Sequence, residues 1–216
     1  MRSTVGILLL SSALSAVGPV TAKSQGLRVG VKAGVNLATM GGSDASAFET
    51  ACSCNITTRT AIAAGGFVSF DLGRTVRLQP ELYYIGKGTK IEVSGVAATI
   101  EVSYLELPVL LVVAPRVQGT IRPSFFAGGE LGVRVGCSLA ASGASVSCSS
   151  AGFDTKSFDY GIVFGAGLGF PLGSGEALID GRYDLGLAKF LDTTPSLSLN
   201  HRGITILAGY SFRLGR

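Results

Sequence analysis

The segment that most constrains the fold is 119–135, GTIRPSFFAGGELGVRV, because its residues alternate in character with a period of two. One set of alternate positions is apolar or small: Ile121, Pro123, Phe125, Ala127, Gly129, Leu131, Val133 and Val135. The other set holds charges of both signs spaced by glycine: Arg122, Ser124, Phe126, Gly128, Glu130, Gly132 and Arg134. A period of two predicts a β-strand with two unlike faces. The charged face is suited to a crowded polar interior.

The same alternation recurs along the chain. Charged residues are only 15% of the sequence, against about 25% in a typical soluble domain. After the first twenty residues, no apolar run has the roughly 20 residues that a transmembrane helix needs. Strands that cross a bilayer would explain this composition, since a tilted strand needs about ten residues. The predicted strands are residues 27–37, 60–72, 76–86, 99–113, 119–135, 158–170, 176–187 and 203–214.

The predicted connections alternate in length. Short turns rich in Gly, Pro and Ser lie at 72–76, 114–119 and 171–175, and long links lie at 38–59, 87–98, 137–157 and 188–202. Transmembrane barrels have short periplasmic turns and longer extracellular loops. Pro80, Pro108 and Pro123 indicate bulges or misplaced strand limits. We predict an all-β fold, an eight-stranded antiparallel up-and-down transmembrane β-barrel. A soluble exported β-barrel or sandwich is the alternative.

The N-terminus reads as a secretory signal. Arg2 is followed by an apolar stretch from Val5 to Val17, and Val20-Thr21-Ala22 offers a small-residue cleavage site. We predict a signal peptide at 1–22 and one barrel domain at 23–216.

The charges on the inward faces nearly cancel. An eight-stranded barrel is narrow enough to be filled by side chains, and buried charges must pair. We therefore expect a plug of salt bridges rather than a channel. Its predicted members are Arg77, Glu81, Glu106, Arg122, Glu130, Arg134, Asp180, Arg182 and Asp184, and the wider inward set adds Arg28, Lys32, Lys87, Arg213, Asp71, Asp159 and Glu176.

Six phrases in order resemble the PorT-type outer-membrane β-barrel family. They are GVKAGVNLATM (30–40), LQPELYYIGKGTKI (78–91), YLELPVLLVV (104–113), DYGIVFGAGLGF (159–170), DGRYDLGLAKF (180–190) and GITILAGYSFRL (203–214). The resemblance covers nearly the whole mature chain. It implies a Gram-negative outer-membrane protein with no assigned activity, with Glu81 and Glu106 in the lumen and Arg182 as a partner. The secretion role of the named member does not transfer to a general family match.

The chain departs from many barrels at its end, because it runs past Phe212 to Arg216. Many barrels end on the aromatic residue that the assembly machinery reads. Insertion by that machinery could still use Tyr210 and Phe212.

All four cysteines fall in predicted outer loops: Cys52, Cys54, Cys137 and Cys148. Disulfides are expected in an exported protein, with Cys137–Cys148 the first choice. A tight Cys52–Cys54 bridge and pairing between loops remain options. A metal site is disfavoured, since no further ligands stand at finger-like spacing.

Other chemistry is weakly signalled. His201, with Ser196, Ser198 and Asp192, could suggest a hydrolase triad, but the pattern is also that of a solvated loop. The glycines of 165–169 lack the following Lys-Ser/Thr of a phosphate loop, and glycine in a narrow barrel makes room for larger neighbours. The net charge of +4 is scattered, which disfavours nucleic acid.

We therefore predict a non-enzymatic structural or interaction protein without a cofactor. Its partners would be outer-membrane lipid, the assembly machinery, and a protein or small molecule at the loops. A small pore and an outer-membrane enzyme are the alternatives.

Overall fold

A computed structural model of the chain describes residues 26–41, 50, 53–93, 96–141, 143–150, 157–188 and 200–214. The predicted signal peptide, Cys52, Asp192, Ser196 and Ser198 lie outside the described residues. Within those ranges, no helix has the length and apolar character needed to cross a membrane.

The described residues form ten β-strands. They are β1 (Leu27–Gly41), β2 (Cys54–Thr57), β3 (Arg59–Asp71), β4 (Val76–Val93), β5 (Val96–Val113), β6 (Arg122–Ala141), β7 (Ala144–Ser147), β8 (Phe158–Leu172), β9 (Gly175–Gly186) and β10 (Asn200–Leu214).

Eight of these strands close into a barrel. Each pairs in antiparallel fashion with its neighbours in the order β1-β3-β4-β5-β6-β8-β9-β10, and β10 pairs back to β1. Because neighbours in sequence are neighbours in the wall, the topology is up-and-down. The predicted eight-stranded barrel is confirmed.

The wall of the barrel is apolar outside and polar inside. Val31 is 65% exposed on the outer face, whereas its neighbour Lys32 is 4% exposed inside. On β5 the outward residues Leu105, Leu107, Val109, Leu111 and Val113 are all exposed. A soluble barrel has the opposite arrangement. An apolar outer band is the surface that lipid requires of a spanning barrel, so the soluble alternative is not favoured.

The predicted loop at 87–98 is wrong. Strand β4 runs on to Val93 and pairs with β5 from Val96, so that Lys87 lies opposite Val102. The alternation reverses here, because apolar side chains such as Ile85, Ile100 and Val102 turn inward and are buried. A pattern search for apolar-outward strands therefore ends too early. The predicted links at 38–59 and 137–157 also contain strand residues, including β2 and β7.

These extensions build a further sheet at the loop end, which we call the loop-side sheet. It consists of β2, the ends of β4, β5 and β6, and β7, paired in that order. A disulfide joins Cys137 to Cys148, with 5.5 Å between their Cα atoms, and closes the β6–β7 hairpin. The predicted disulfide at these two residues is confirmed. Cys54 also takes part in a disulfide.

The prolines mark irregular points of the wall. The β4–β5 pairing runs regularly from Val76 to Pro80 and resumes only at Tyr83 opposite Glu106. Pro123 is the second residue of β6, which begins at Arg122 rather than at 119. A register shift lies between Ser103 and Tyr104. The prolines thus reflect both an interrupted ladder and a misplaced strand limit.

Candidate functional site: the charged lumen

Charged side chains line the interior of the barrel at three levels. The middle cluster contains Lys32, Glu81, Asp180 and Arg182. The loop-side cluster contains Lys87, Glu106, Glu130 and Asp159. The turn-side cluster lies at the strand ends beside the short turns and contains Arg28, Arg77, Arg122, Arg213, Asp71 and Glu176.

The middle cluster is a balanced set of two cations and two carboxylates. Arg182 holds Glu81 through two contacts, Nη1–Oε2 at 2.5 Å and Nη2–Oε1 at 3.2 Å. Lys32 Nζ lies 2.6 Å from Asp180 Oδ2 and 3.3 Å from Glu81 Oε1. The amide of Gln79 donates to Glu81 over 2.7 Å. The fork-like contact of a guanidinium with a carboxylate is among the strong hydrogen bonds in proteins.

Aromatic rings pack around these cations. Lys32 Nζ lies 4.5 Å from the centroid of the Phe67 ring, and the Arg182 guanidinium lies 4.9 Å from the Tyr83 ring and 5.4 Å from the Phe126 ring. Cation–π contacts strengthen when water is excluded. The cluster is therefore held on its apolar sides as well as by its ion pairs.

The loop-side cluster contains one lysine among several acids. Lys87 Nζ lies 2.6 Å from Glu106, 3.1 Å from Asp159 and 3.6 Å from Glu130. Asp184 lies near these acids and accepts a hydrogen bond of 2.8 Å from the Thr205 hydroxyl. All of these side chains are buried. The acids outnumber the lysine at this level.

The turn-side cluster has the opposite sign. Glu176 accepts from Arg28 at 3.3 Å and from Arg122 at 3.2 Å. Arg77 and Arg213 line the same opening. Of the described residues, none forms an ion pair with Arg77 or Arg213.

The nine residues predicted for a lumen network do not form one group. Glu81, Asp180 and Arg182 meet in the middle cluster, and Glu106 and Glu130 meet around Lys87. Arg77 and Arg122 lie in the turn-side cluster. Arg134 is half-buried on β6, opposite Tyr104. Arg182 therefore binds one of the two glutamates that the resemblance assigned to it, since Glu106 pairs with Lys87.

The nine residues predicted for the lumen network do not include Lys32 and Lys87, the cations at the centres of the middle and loop-side clusters. Both residues are buried, since only 4% of Lys32 and 3% of Lys87 is exposed to solvent. Lys32 stood on the inward face of the alternating pattern, so its signal was present. Lys87 belongs to the wider inward set but also begins the predicted link at 87–98, and only the reversed alternation beyond it indicates that the strand continues.

The geometry gives little support to a hydrolase site, a metal site or a phosphate loop. His201 is buried, with its ring 5.9 Å from that of Tyr104. The described residues contain no group of three or more His, Cys, Asp or Glu that could hold a metal. Gly165 lies against Phe126, and Gly167 lies against Asp180, so these glycines do make room for larger neighbours.

Little space remains at the middle level. A cavity of about 30 Å³ lies on its turn side, and one of about 10 Å³ lies between Arg182 and the loop-side acids. Such volumes hold only one or two water molecules. What the arrangement can do is to fix the strands to one another across the lumen.

Three solved barrels resemble the chain in fold. Ail, the attachment invasion locus protein of Yersinia pestis, is 14% identical, with 86% of this chain and 98% of Ail covered and a TM-score of 0.44. OprG from Pseudomonas aeruginosa is 11% identical, with 87% and 96% covered and a TM-score of 0.49. Neisserial surface protein A is 12% identical, with 87% and 97% covered and a TM-score of 0.49. Comparison with curated proteins gives no match.

The sequence itself matches a protein family over most of its length. Residues 21–192 match the family described as outer membrane protein beta-barrel domain. This range contains the first seven of the eight barrel strands, whose apolar outer wall and charged lumen have been described. The chain therefore belongs to the outer membrane protein β-barrel domain family and is an integral protein of the bacterial outer membrane.

Proposed function

We propose that the protein is a non-conducting outer-membrane anchor of the structural or interaction type, which presents its loop-side sheet to a partner outside the cell. The middle cluster is the observation that supports a non-conducting barrel. It joins β1, β4 and β9, which stand apart in the wall, by side chains that meet in the lumen.

The middle cluster opposes ion flow for two reasons. Its four charges pair with one another, so a passing ion would have to break contacts such as that of 2.6 Å between Lys32 and Asp180. The apolar side chains of Leu110, Val112, Phe126 and Val163 are buried together beside it. A small pore, the rival function, would need an open path through this level.

Conductance of single molecules in a planar bilayer tests the proposal. We expect no current steps from the wild type, and steps from the double variant Glu81→Ala/Arg182→Ala, which removes the central pair. The matched control is Arg59→Ala/Glu101→Ala, which removes an ion pair of 3.1 Å near the loop end and should stay silent. Steady steps from the wild type would establish the pore instead.

The loop-side sheet supports the second half of the proposal. It extends the wall beyond the level at which the alternation reverses, and the Cys137–Cys148 disulfide fixes its last hairpin. The residues of β7 are all exposed and uncharged. Uncharged strands at the end of a sheet suit the backbone pairing by which sheets take up an extended polypeptide, so we propose a protein partner.

A variant in which residues 138–147 are replaced by a two-residue Asn-Gly turn tests this surface. The barrel should form as before, because the β6–β8 pairing begins at Val133 and runs away from the removed part. Cells that display the variant should lose binding to a partner that the wild type binds. Equal binding by both would move the partner surface elsewhere.

We further propose that the protein is not an enzyme. His201 is the sole histidine of the chain, and its burial against Tyr104 keeps it from a substrate. If a hydrolytic activity is detected, His201→Ala should leave it unchanged. Loss of that activity in the variant would restore the enzyme hypothesis.

We propose PorT-type membership, supported by the six phrases in order, and insertion by the assembly machinery from the Gram-negative periplasm. Removal of a signal peptide at 1–22 predicts that the N-terminal residue of the membrane-embedded protein is Lys23, which intact mass spectrometry measures. A mature chain that retains Arg2 would exclude that cleavage.

A further inference from the structure

We propose that the turn-side opening of the barrel is a binding site for a small, multiply charged, phosphate-bearing anion. The site lies at the opposite end of the barrel from the loop-side sheet. Its test is therefore independent of the partner proposed above.

The first observation is an excess of positive charge. Four arginines project from the strand ends, namely Arg28, Arg77, Arg122 and Arg213, and two more stand in the turns, Arg74 and Arg116. Two carboxylates, Asp71 and Glu176, face the same opening. Six cations against two anions leave four positive charges in excess, whereas the middle cluster is balanced.

The second observation is that four of the six arginines form no ion pair among the described residues. Glu176 is shared by Arg28 and Arg122, and no ion pair forms to Arg74, Arg77, Arg116 or Arg213 within the described ranges. The Nε atoms of Arg28 and Arg77 are buried and make no hydrogen bond. A buried charged donor without an acceptor is costly, so a bound anion would supply what the protein does not.

The third observation is the space between them. Two adjoining cavities of about 400 and 650 Å³ both have Arg28, Arg122 and Arg213 in their walls. Toward the centre of the barrel the space narrows to a cavity of about 30 Å³, because the middle cluster fills the lumen. The opening is therefore a blind vestibule, and its volume is that of a small-molecule site.

The lining selects the chemistry of the ligand. No aromatic side chain lines either cavity, so nothing there would stack on a base or a sugar ring. Guanidinium groups match phosphate oxygens in paired, fork-like contacts. Several arginines around one space suit an anion with several phosphate oxygens better than a single carboxylate. In the membrane, the short turns of such a barrel face the periplasm, which is where this ligand would be met.

Titration of pyrophosphate into the folded full-length mature protein, in neutral detergent and followed by calorimetry, tests the site. We expect saturable binding to the wild type and at least about tenfold weaker binding to Arg77→Gln/Arg213→Gln, since two charge-assisted contacts are removed. The control Arg59→Gln removes a charge at the loop end and should bind like the wild type. Gel mobility of unboiled samples shows that each variant is folded.

Further arms separate the sources of the anion. In lipid discs, pyrophosphate binding that weakens when anionic phosphatidylglycerol replaces zwitterionic phosphatidylcholine, and does so even in salt that screens the charged surface, would identify the anionic lipid headgroup as the competitor, and unchanged binding would identify a soluble phosphate. Either result keeps the phosphate site. Absence of pyrophosphate binding, an equal loss in Arg59→Gln, or equally tight binding of citrate would overturn the proposal.

Discussion

Arg182 illustrates how a charge is stabilised inside this barrel. Its guanidinium contacts Glu81 and Asp180 and lies over the rings of Tyr83 and Phe126. Water has little access at this level, so the attraction between the partners is weakly screened. Removing one partner leaves the others buried and uncompensated, which costs more than the net contribution of the pair.

Arg182→Met should therefore destabilise the barrel strongly. It leaves Glu81 with Lys32 as its remaining cation, and we expect the free energy of unfolding to fall by about 3–5 kcal/mol. Urea titration of the protein in lipid vesicles measures it. Arg59→Met, which removes an ion pair to a glutamate that is 41% exposed and a hydrogen bond of 2.8 Å to the Lys87 carbonyl, should cost less, about 1–2 kcal/mol. Similar losses for the two variants would show that the lumen pair is not special.

Gly167 of β8 is packed so closely that an added methyl group should destabilise the barrel. A Cβ added at Gly167 would lie 2.4 Å from an Asp180 carboxylate oxygen, whereas one added at Gly181 would meet nothing within 4 Å. Gly167→Ala should thus lower the free energy of unfolding by about 1–3 kcal/mol, and Gly181→Ala should leave it nearly unchanged. Unfolding of both variants in vesicles checks this, and equal stability would contradict the tight packing around β8.

The sequence predicts which side chains face the lumen, but not which of them form ion pairs with one another. The period of two places Glu81, Arg182 and Lys32 inside, because side chains alternate across a strand. Which of them meet depends on the stagger of strands that are far apart in sequence, and a single chain does not display that stagger. This is why Glu106 was expected near Arg182 and is found with Lys87.

The strands were predictable wherever they cross the apolar band. Segment 158–170 became β8 and segment 176–187 became β9 with shifts of one or two residues. The extensions of β4 and β6 were missed because their apolar side chains point inward, as at Ile91 and Leu139. Alternation with the opposite phase was interpreted as loop.

The Cys137–Cys148 disulfide should stabilise the β6–β7 hairpin rather than the barrel. The Cys137–Cys148 disulfide closes a loop with a sequence separation of 11, and a crosslink of this size stabilises by about 3 kcal/mol at most. Cys137→Ser/Cys148→Ser should make the hairpin sensitive to added protease and leave the barrel folded. Limited proteolysis measures the first effect. A variant that fails to form the barrel would show that the disulfide acts on the whole wall.

Across the whole molecule, charge is separated along the barrel axis. The balanced totals expected from the sequence hide this, since acids collect around Lys87 and arginines collect at the short turns. Position along the axis follows from strand length and tilt together. The sequence alone gives the sum of the charges but not their distribution.

The distribution of apolar and charged side chains over the barrel wall explains why the protein lies in a membrane. The outer wall exposes large apolar side chains on all eight barrel strands, while the inner wall buries charge. Such a surface is stable against lipid and unstable against water. The functions proposed for the loop-side sheet and for the turn-side vestibule both depend on this wall, which holds the two ends on opposite sides of the membrane.

The most direct test of the central claim, a closed barrel spanning the outer membrane, is gel mobility before and after boiling. The mature chain would be refolded into lipid vesicles and run in SDS, with reductant in both samples. We predict two positions, because the closed strand ladder survives SDS at room temperature and opens on boiling. Identical mobility in the two samples would contradict it.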